Sequence, residues 1–208
     1  MGNFLANIRY VAWGALGVGA VFLLYMWLGY GGYSTENPFF WDAIFRWLHV
    51  LSGIMWIGHL YYFNFTQIPN VPKIPEEHRG PAIAKVIAPA ALFWFRWGAV
   101  ATLVTGLIVA YTNGYLVHAL VFGADEEFSV KRHTFIGIGM WLAIIMFFNV
   151  WAIIWPNQQK ALGIGAENAS LDPAVKAKAA RTAMLFSRTN TFLSVPMLVA
   201  MTGAQAFA

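Results

Sequence analysis

Five stretches of the chain are almost continuously apolar, and each is long enough to cross a bilayer. An α-helix rises about 1.5 Å per residue, so roughly 20 apolar residues cross about 30 Å of hydrocarbon. The predicted spans are residues 11–29, 41–65, 87–111, 133–155 and 182–206, with a short extra helix at 171–180. The pattern therefore predicts an all-α fold, a bundle of five transmembrane helices that forms one membrane domain over residues 1–208.

The positions of Lys and Arg predict how this bundle is oriented. With five spans, the amino terminus, the second loop and the fourth loop share one side, which holds nine of the 13 Lys and Arg residues. The opposite side holds only Lys131 and Arg132, and Arg46 and Arg96 lie inside spans. Because basic loops stay in the cytoplasm, we expect a cytoplasmic amino terminus, a periplasmic carboxyl terminus and a bacterial inner membrane location.

Composition narrows the class of protein further. Apolar residues make up 59% of the chain and charged residues 11%, against about 45–50% and about 25% in soluble proteins. This excludes a disordered or water-soluble chain, and it argues against a nucleic-acid partner. The absence of Cys excludes thiolate metal sites, iron–sulfur clusters and covalently attached c-type haem. The expected partners are the lipid bilayer and other membrane subunits.

Polar side chains inside the predicted spans are the candidate binding residues, because polar groups at membrane depth are costly. Those in four spans fall at similar depths, about 8–13 Å from the surface of the second loop. Such a layer suits a planar polar ligand, such as a quinone head group or a purine. The candidates for substrate binding are His59, Arg96, Asn149, Asn157, Arg188 and Asn190. The alternative is that they form hydrogen bonds between helices, and that Arg188 snorkels to the surface. No catalytic residue is assigned.

His49 is the candidate metal ligand, because a deep imidazole can bind the iron of haem b, relay protons or bond to a carbonyl group. A second axial ligand would have to come from another helix, and His133 is the candidate for that role. We expect His118 in the outer loop, near the acidic run Asp125–Glu127. That run is either an ordinary solvated loop or a docking patch for a basic periplasmic cytochrome c.

Several motifs resemble the membrane domain of the bacterial cytochrome-linked urate hydroxylase family. They are residues 45–50 with 56–58, 148–160, 187–196 and, more weakly, 94–99 with 105–106. The resemblance implies urate oxidation, with electrons passed to a carboxyl-terminal c-type cytochrome. This sequence departs from the family pattern in three ways. It has no Cys, its segment 67–80 is proline-rich and charged in place of a His-Gly-rich segment, and Thr189 stands where a His commonly precedes the Asn.

A shorter resemblance concerns the Leu-His-Val motif at 48–50 and the Arg-to-Pro segment 188–196. These are similar to the short haem-b-binding protoporphyrinogen oxidases of bacteria. This second resemblance implies that His49 is a haem ligand.

Three functions are therefore open. The first is a membrane redox protein, an enzyme or electron carrier that acts on a planar substrate or a quinone. The second is a non-catalytic accessory subunit of a respiratory or photosynthetic complex. The third is a transporter for a small planar solute. It is disfavoured because the spans contain no acidic residue except Asp42, at the edge of the second span.

Overall fold

The computed structural model describes residues 5–29 and 38–207, and all regular structure within those ranges is helical. The all-α prediction is confirmed. The predicted turn at Gly31-Gly32 lies outside the described residues. By its internal contacts the chain divides into two units, Met1–Trp47 and Leu48–Ala208.

The first unit contains α1 (Ile8–Gly29) and the beginning of α2 (Pro38–Tyr61). A methyl group placed on Gly19 would lie 3.1 Å from the Trp47 ring, so a small residue permits this close packing. Arg46 donates to both carboxylate oxygens of Asp42, one turn earlier, at 2.9–3.1 Å. The charge of Arg46 is therefore paired within its own helix.

The second unit contains the rest of α2 and eight further α-helices, together with three π-helical segments. The α-helices are α3 (Ile68–Asn70), α4 (Glu76–His78), α5 (Ala88–Thr112), α6 (Leu116–Leu120), α7 (Lys131–Phe148), α8 (Trp155–Leu162), α9 (Ala166–Ala169) and α10 (Pro173–Gly203). The π segments are π1 (Tyr62–Gln67), π2 (Arg79–Ile87) and π3 (Asn149–Ile154). Short 3-10 turns cover Val71–Lys73, Ala124–Glu126 and Ala204–Phe207.

The helices extend beyond the predicted spans. Two continuous helices run over Glu76–Thr112 and Lys131–Leu162. The predicted short helix at 171–180 and the fifth span form one helix, α10, capped by the Asp172 carboxylate, which accepts from the Ala174 amide at 2.7 Å. Pro81 and Pro156 end neither helix, because each falls within or just after a π segment, where the hydrogen-bond register is already shifted.

Three helices in the described ranges are long and apolar enough to cross a membrane: Ile8–Met26, Glu76–Thr112 and Lys131–Leu162. This agrees with the expectation of a membrane protein. The predicted spans at 41–65 and 182–206 are also helical.

The core of the second unit forms where α10 packs on α7, π3 and α8. The buried face of α10 repeats every three or four residues and consists mainly of small side chains, which let neighbouring helices approach closely. Its members are Ala179, Ala183, Ser187, Asn190, Ser194, Met197 and Ala200. Larger side chains of α2, α5 and π3 complete the cluster, among them Trp56, Leu60, Phe95 and Val150.

Candidate functional site

The three π segments lie where the chain departs from regular helix, and each carries polar or cavity-lining residues. A π turn inserts an extra residue and so changes the direction of the side chains around it, and such turns are frequent at functional sites. Asn64 and Gln67 belong to π1, and Asn149 begins π3.

A cavity of about 320 Å³ lies between π1, π2, the start of α5, α8 and the first half of α10. Its walls are mostly apolar, with Phe63, Leu92 and Met184 among them. Its polar side chains are Gln67, Arg79, Gln158 and Ser187. Cavities of this size and composition are typical of small-molecule sites.

Two of these polar side chains have oxygen atoms without a hydrogen-bond partner. The side-chain oxygens of Gln67 and Gln158 are buried and accept no hydrogen bond. Arg79 differs, since its guanidinium donates to the carbonyl oxygens of Ile74 and Pro72 at 2.7 Å. A buried acceptor without a donor is costly. Both oxygens have almost no accessible surface, so each amide would have to turn toward the cavity to accept from a ligand there.

Donor atoms without a hydrogen-bond partner also lie on α2, α5 and π3. They are the indole nitrogens of Trp56 and Trp151 and the Nε and Nη1 atoms of Arg96. Arg96 lies with its guanidinium carbon 3.2 Å from the centre of the Trp155 ring. Arg96 is therefore held by stacking on an aromatic face, and these donors are not used by the protein.

A second group of polar side chains forms hydrogen bonds from π3 to α10. The Asn149 amide donates to the Asn190 side-chain oxygen, and the Asn190 amide donates to the Met146 carbonyl, both at 2.9 Å. Asn190 has no exposed surface. Asn149 and Asn190, two of the predicted substrate-binding residues, are therefore hydrogen-bonded to each other between helices.

Two further bonds join π1 and α2 to α10. The Asn64 amide donates to Ser187 Oγ at 2.8 Å, and the Tyr61 hydroxyl lies 2.9 Å from Ser194 Oγ. We name the set Asn149, Asn190, Asn64, Ser187, Tyr61 and Ser194 the amide layer. Ser187 also lines the cavity, so the layer forms part of the cavity's wall.

None of the six predicted substrate-binding residues, Asn149 and Asn190 included, lines the cavity. His59 Nδ1 lies 2.7 Å from the Met55 carbonyl, and the Asn157 amide donates to the Ile153 carbonyl at 2.8 Å. Both contacts are local to one helix. Arg188 is exposed, while its neighbours Ser187 and Asn190 are buried, so it does not join the amide layer.

His49 packs directly on α5. Its Nδ1 lies 2.9 Å from the Thr102 carbonyl and 3.3 Å from Thr105 Oγ1. A methyl group on Gly106 would lie 2.8 Å from the imidazole, so only glycine permits this approach. A carbonyl on Nδ1 fixes the ring orientation, as is usual for metal-bound histidines. On that count His49 fits one haem ligand.

His133 lies in a different set of contacts. Its Nδ1 is 2.5 Å from a Glu126 carboxylate oxygen, and its ring stacks on His118 with centres 5.0 Å apart. His118 lies in the connection between α5 and α7, where it belongs to the short helix α6. The haem site of His49 and His133 stays a prediction.

Sequence reasoning did not select Gln67, Gln158 or Arg79. Gln67 lies just after a predicted span and Gln158 lies inside the motif at 148–160, so their position near a helix end hid their burial. One feature of the sequence could have identified the two glutamines: each lies two residues from a proline, just after a predicted span and on the same side of the membrane.

Comparison with known proteins supports part of the resemblance. Residues 108–206 match the family model described as urate oxidase N-terminal. The match covers just under half of the chain, and it supports a relation to urate oxidase families. No curated protein and no solved structure matches the chain. The findings do not extend to a cytochrome or to a haem-containing oxidase.

Proposed function

We propose that this chain is a membrane-embedded redox protein related to the urate oxidases, and that it binds a planar nitrogen heterocycle such as urate in the cavity. The observation that carries the proposal is the pair of unpartnered amide oxygens, on Gln67 and Gln158, beside that cavity. The family match of residues 108–206 supports the choice of urate.

The chemistry of the cavity suits such a ligand. A purine-derived ring carries N–H groups along its edges, and amide oxygens accept hydrogen bonds from them. The apolar walls, among them Phe63 and Leu92, suit the faces of the ring, and the positive charge of Arg79 favours an anion such as urate.

The membrane arrangement belongs to the same proposal. Within the described residues, three helices are long and apolar enough to span a membrane. We add residues 41–65 and 182–206 as two further spans, which makes five spans in total. The excess of Lys and Arg around the second and fourth loops supports a cytoplasmic amino terminus in a bacterial inner membrane.

Electrons from the substrate would pass to a quinone, to another membrane subunit or to a periplasmic cytochrome c. Haem b is the proposed carrier within the chain, with His49 as one ligand, and it would supply one-electron chemistry when bound. An absorbance spectrum of the purified protein tests this part, because a Soret band that disappears in His49→Ala would support the haem.

The decisive experiment compares two alanines in π2. Ala84 lines the cavity, whereas Ala82 is exposed and does not. We expect Ala84→Leu to fill the cavity and weaken urate binding about tenfold or more, which corresponds to about 1.4 kcal/mol. Ala82→Leu is the matched control and should bind as the wild type does. Isothermal titration of the detergent-purified proteins measures both affinities.

Two results would contradict the proposal. Equal urate affinity in the two variants would place the ligand outside the cavity. A protein that binds neither urate nor a quinone, and purifies in fixed ratio with a larger complex, would instead be an accessory subunit.

A further inference from the structure

A cluster of metal-ligand side chains lies at the other end of α5 from the cavity. It is formed by His118 on α6, Asp125 and Glu126 on the following 3-10 turn, and His133 in the first turn of α7. One ligand atom each from His118, Glu126 and His133 lies within 4.8 Å of the others. All three side chains are partly buried.

The distances within the cluster suit a small cation. Glu126 lies between the two imidazoles, 2.5 Å from His133 Nδ1 and 3.7 Å from His118 Nδ1. Asp125 contacts the same His118 nitrogen at 2.7 Å. Tetrahedral zinc with bonds of about 2.0–2.1 Å separates its ligands by about 3.3 Å. The observed spacings lie on both sides of that value, and the stacked rings of His118 and His133 would have to turn so that both nitrogens face one ion.

The backbone around the cluster is held in place by contacts that do not involve the four ligands. Thr134 Oγ1 donates to the Phe122 carbonyl at 2.8 Å, and Trp141 Nε1 donates to the Leu120 carbonyl at 3.0 Å. Gly137 lies against the Ala119 carbonyl so closely that any side chain would collide with it. The turn is thus fixed on α7, so the ligands from α6, the 3-10 turn and α7 are held close together.

We propose that His118, Glu126 and His133, with Asp125 as fourth ligand, bind a divalent transition metal ion of the zinc type. Two imidazoles disfavour calcium and magnesium, which take oxygen ligands, and the chain has no thiolate for softer ions. Four protein ligands would leave no open position on the ion, as in structural zinc sites. The ion would fasten the turn after α6 to the start of α7.

Zinc titration of the detergent-purified full chain tests the site. We expect one zinc ion per chain, with affinity reduced roughly 100-fold or more in His118→Ala and in His133→Ala. His78→Ala is the matched control, because His78 is an exposed histidine at the other end of the helix Glu76–Thr112, and it should leave the affinity unchanged. Zinc should also raise the unfolding temperature of the wild type, and not that of His133→Ala.

Cobalt binding keeps the test decisive if an alanine variant fails to fold. Co²⁺ bound by imidazole and carboxylate gives visible absorption bands, which should appear in the wild type and weaken in Glu126→Gln. That variant keeps the size of the side chain and removes its charge. If zinc binding were no greater than in a His118→Ala/His133→Ala double variant, the proposal would be overturned, and the cluster would be an ion-pair network alone. The urate-binding measurements do not depend on this result.

Discussion

The amide layer and the rim of the cavity are built from the same kinds of side chain, yet they differ in how those side chains are satisfied. In the layer, Asn149 and Asn190 bond to each other and to the backbone. At the rim, the side-chain oxygens of Gln67 and Gln158 have no partner. The contrast holds for the Asn149–Asn190 pair, whereas the side-chain oxygen of Asn64 in the same layer also has no partner. A polar group that is already bonded gains less from a ligand than an unsatisfied one.

The largest expected effect is on stability, in the amide layer. Asn190→Leu removes the acceptor of Asn149 and the donor to Met146. We expect the free energy of unfolding to fall by about 1–3 kcal/mol, the usual cost of leaving buried polar groups unpaired. Thermal unfolding in detergent measures the change. The double variant Asn149→Leu/Asn190→Leu should cost less than the two single variants together, and strict additivity would show that the bond is unimportant.

The next effect should be on ligand affinity, at the rim. Gln158→Leu removes a buried acceptor that the protein itself does not use. We therefore expect an unchanged or raised unfolding temperature, together with about tenfold weaker urate binding, or about 1.4 kcal/mol. Gln159→Leu is the adjacent control, since Gln159 does not line the cavity. A marked loss of stability in Gln158→Leu would make the rim structural, like the layer.

The smallest effect should come from Arg188→Ala. Arg188 is exposed between two buried neighbours of α10, so we expect a stability change within about 0.5 kcal/mol and no change in urate affinity. Titration of this variant beside the wild type provides the check. A tenfold loss of affinity would show that Arg188 belongs to the binding site, as the sequence analysis predicts.

The helices could be predicted from the sequence because apolar runs of this length have few alternatives in a membrane. Their ends could not, because π segments carry two helices past Pro81 and Pro156, although proline ordinarily ends a helix. The hydrogen bond between Asn149 and Asn190 could not be predicted either. Spacing along the chain indicates how deep a residue lies in its span, but not which way it faces around the helix axis. For the same reason Arg188 was grouped with Asn190, although they face different ways.

The acidic run at 125–127 is a second case in which position along the chain does not reveal which side chains meet. It reads as a solvated loop or a docking patch, yet Asp125 and Glu126 turn toward His118 and His133. These contacts depend on α6, a helix of five residues that is too short to show a recognisable helical pattern in the sequence.

The helix Glu76–Thr112 has 37 residues and measures about 55 Å, far more than the about 30 Å of the acyl chains. Four of its five charged residues, Glu76, Glu77, Arg79 and Lys85, lie near the amino-terminal end, and Arg96 lies in the middle. In the proposed membrane arrangement the amino-terminal end would project among the lipid head groups, and the cavity wall at 79–84 would sit at the boundary between water and lipid. A flat, partly polar solute that concentrates at this boundary would then enter sideways from the membrane surface, without a channel from either aqueous compartment.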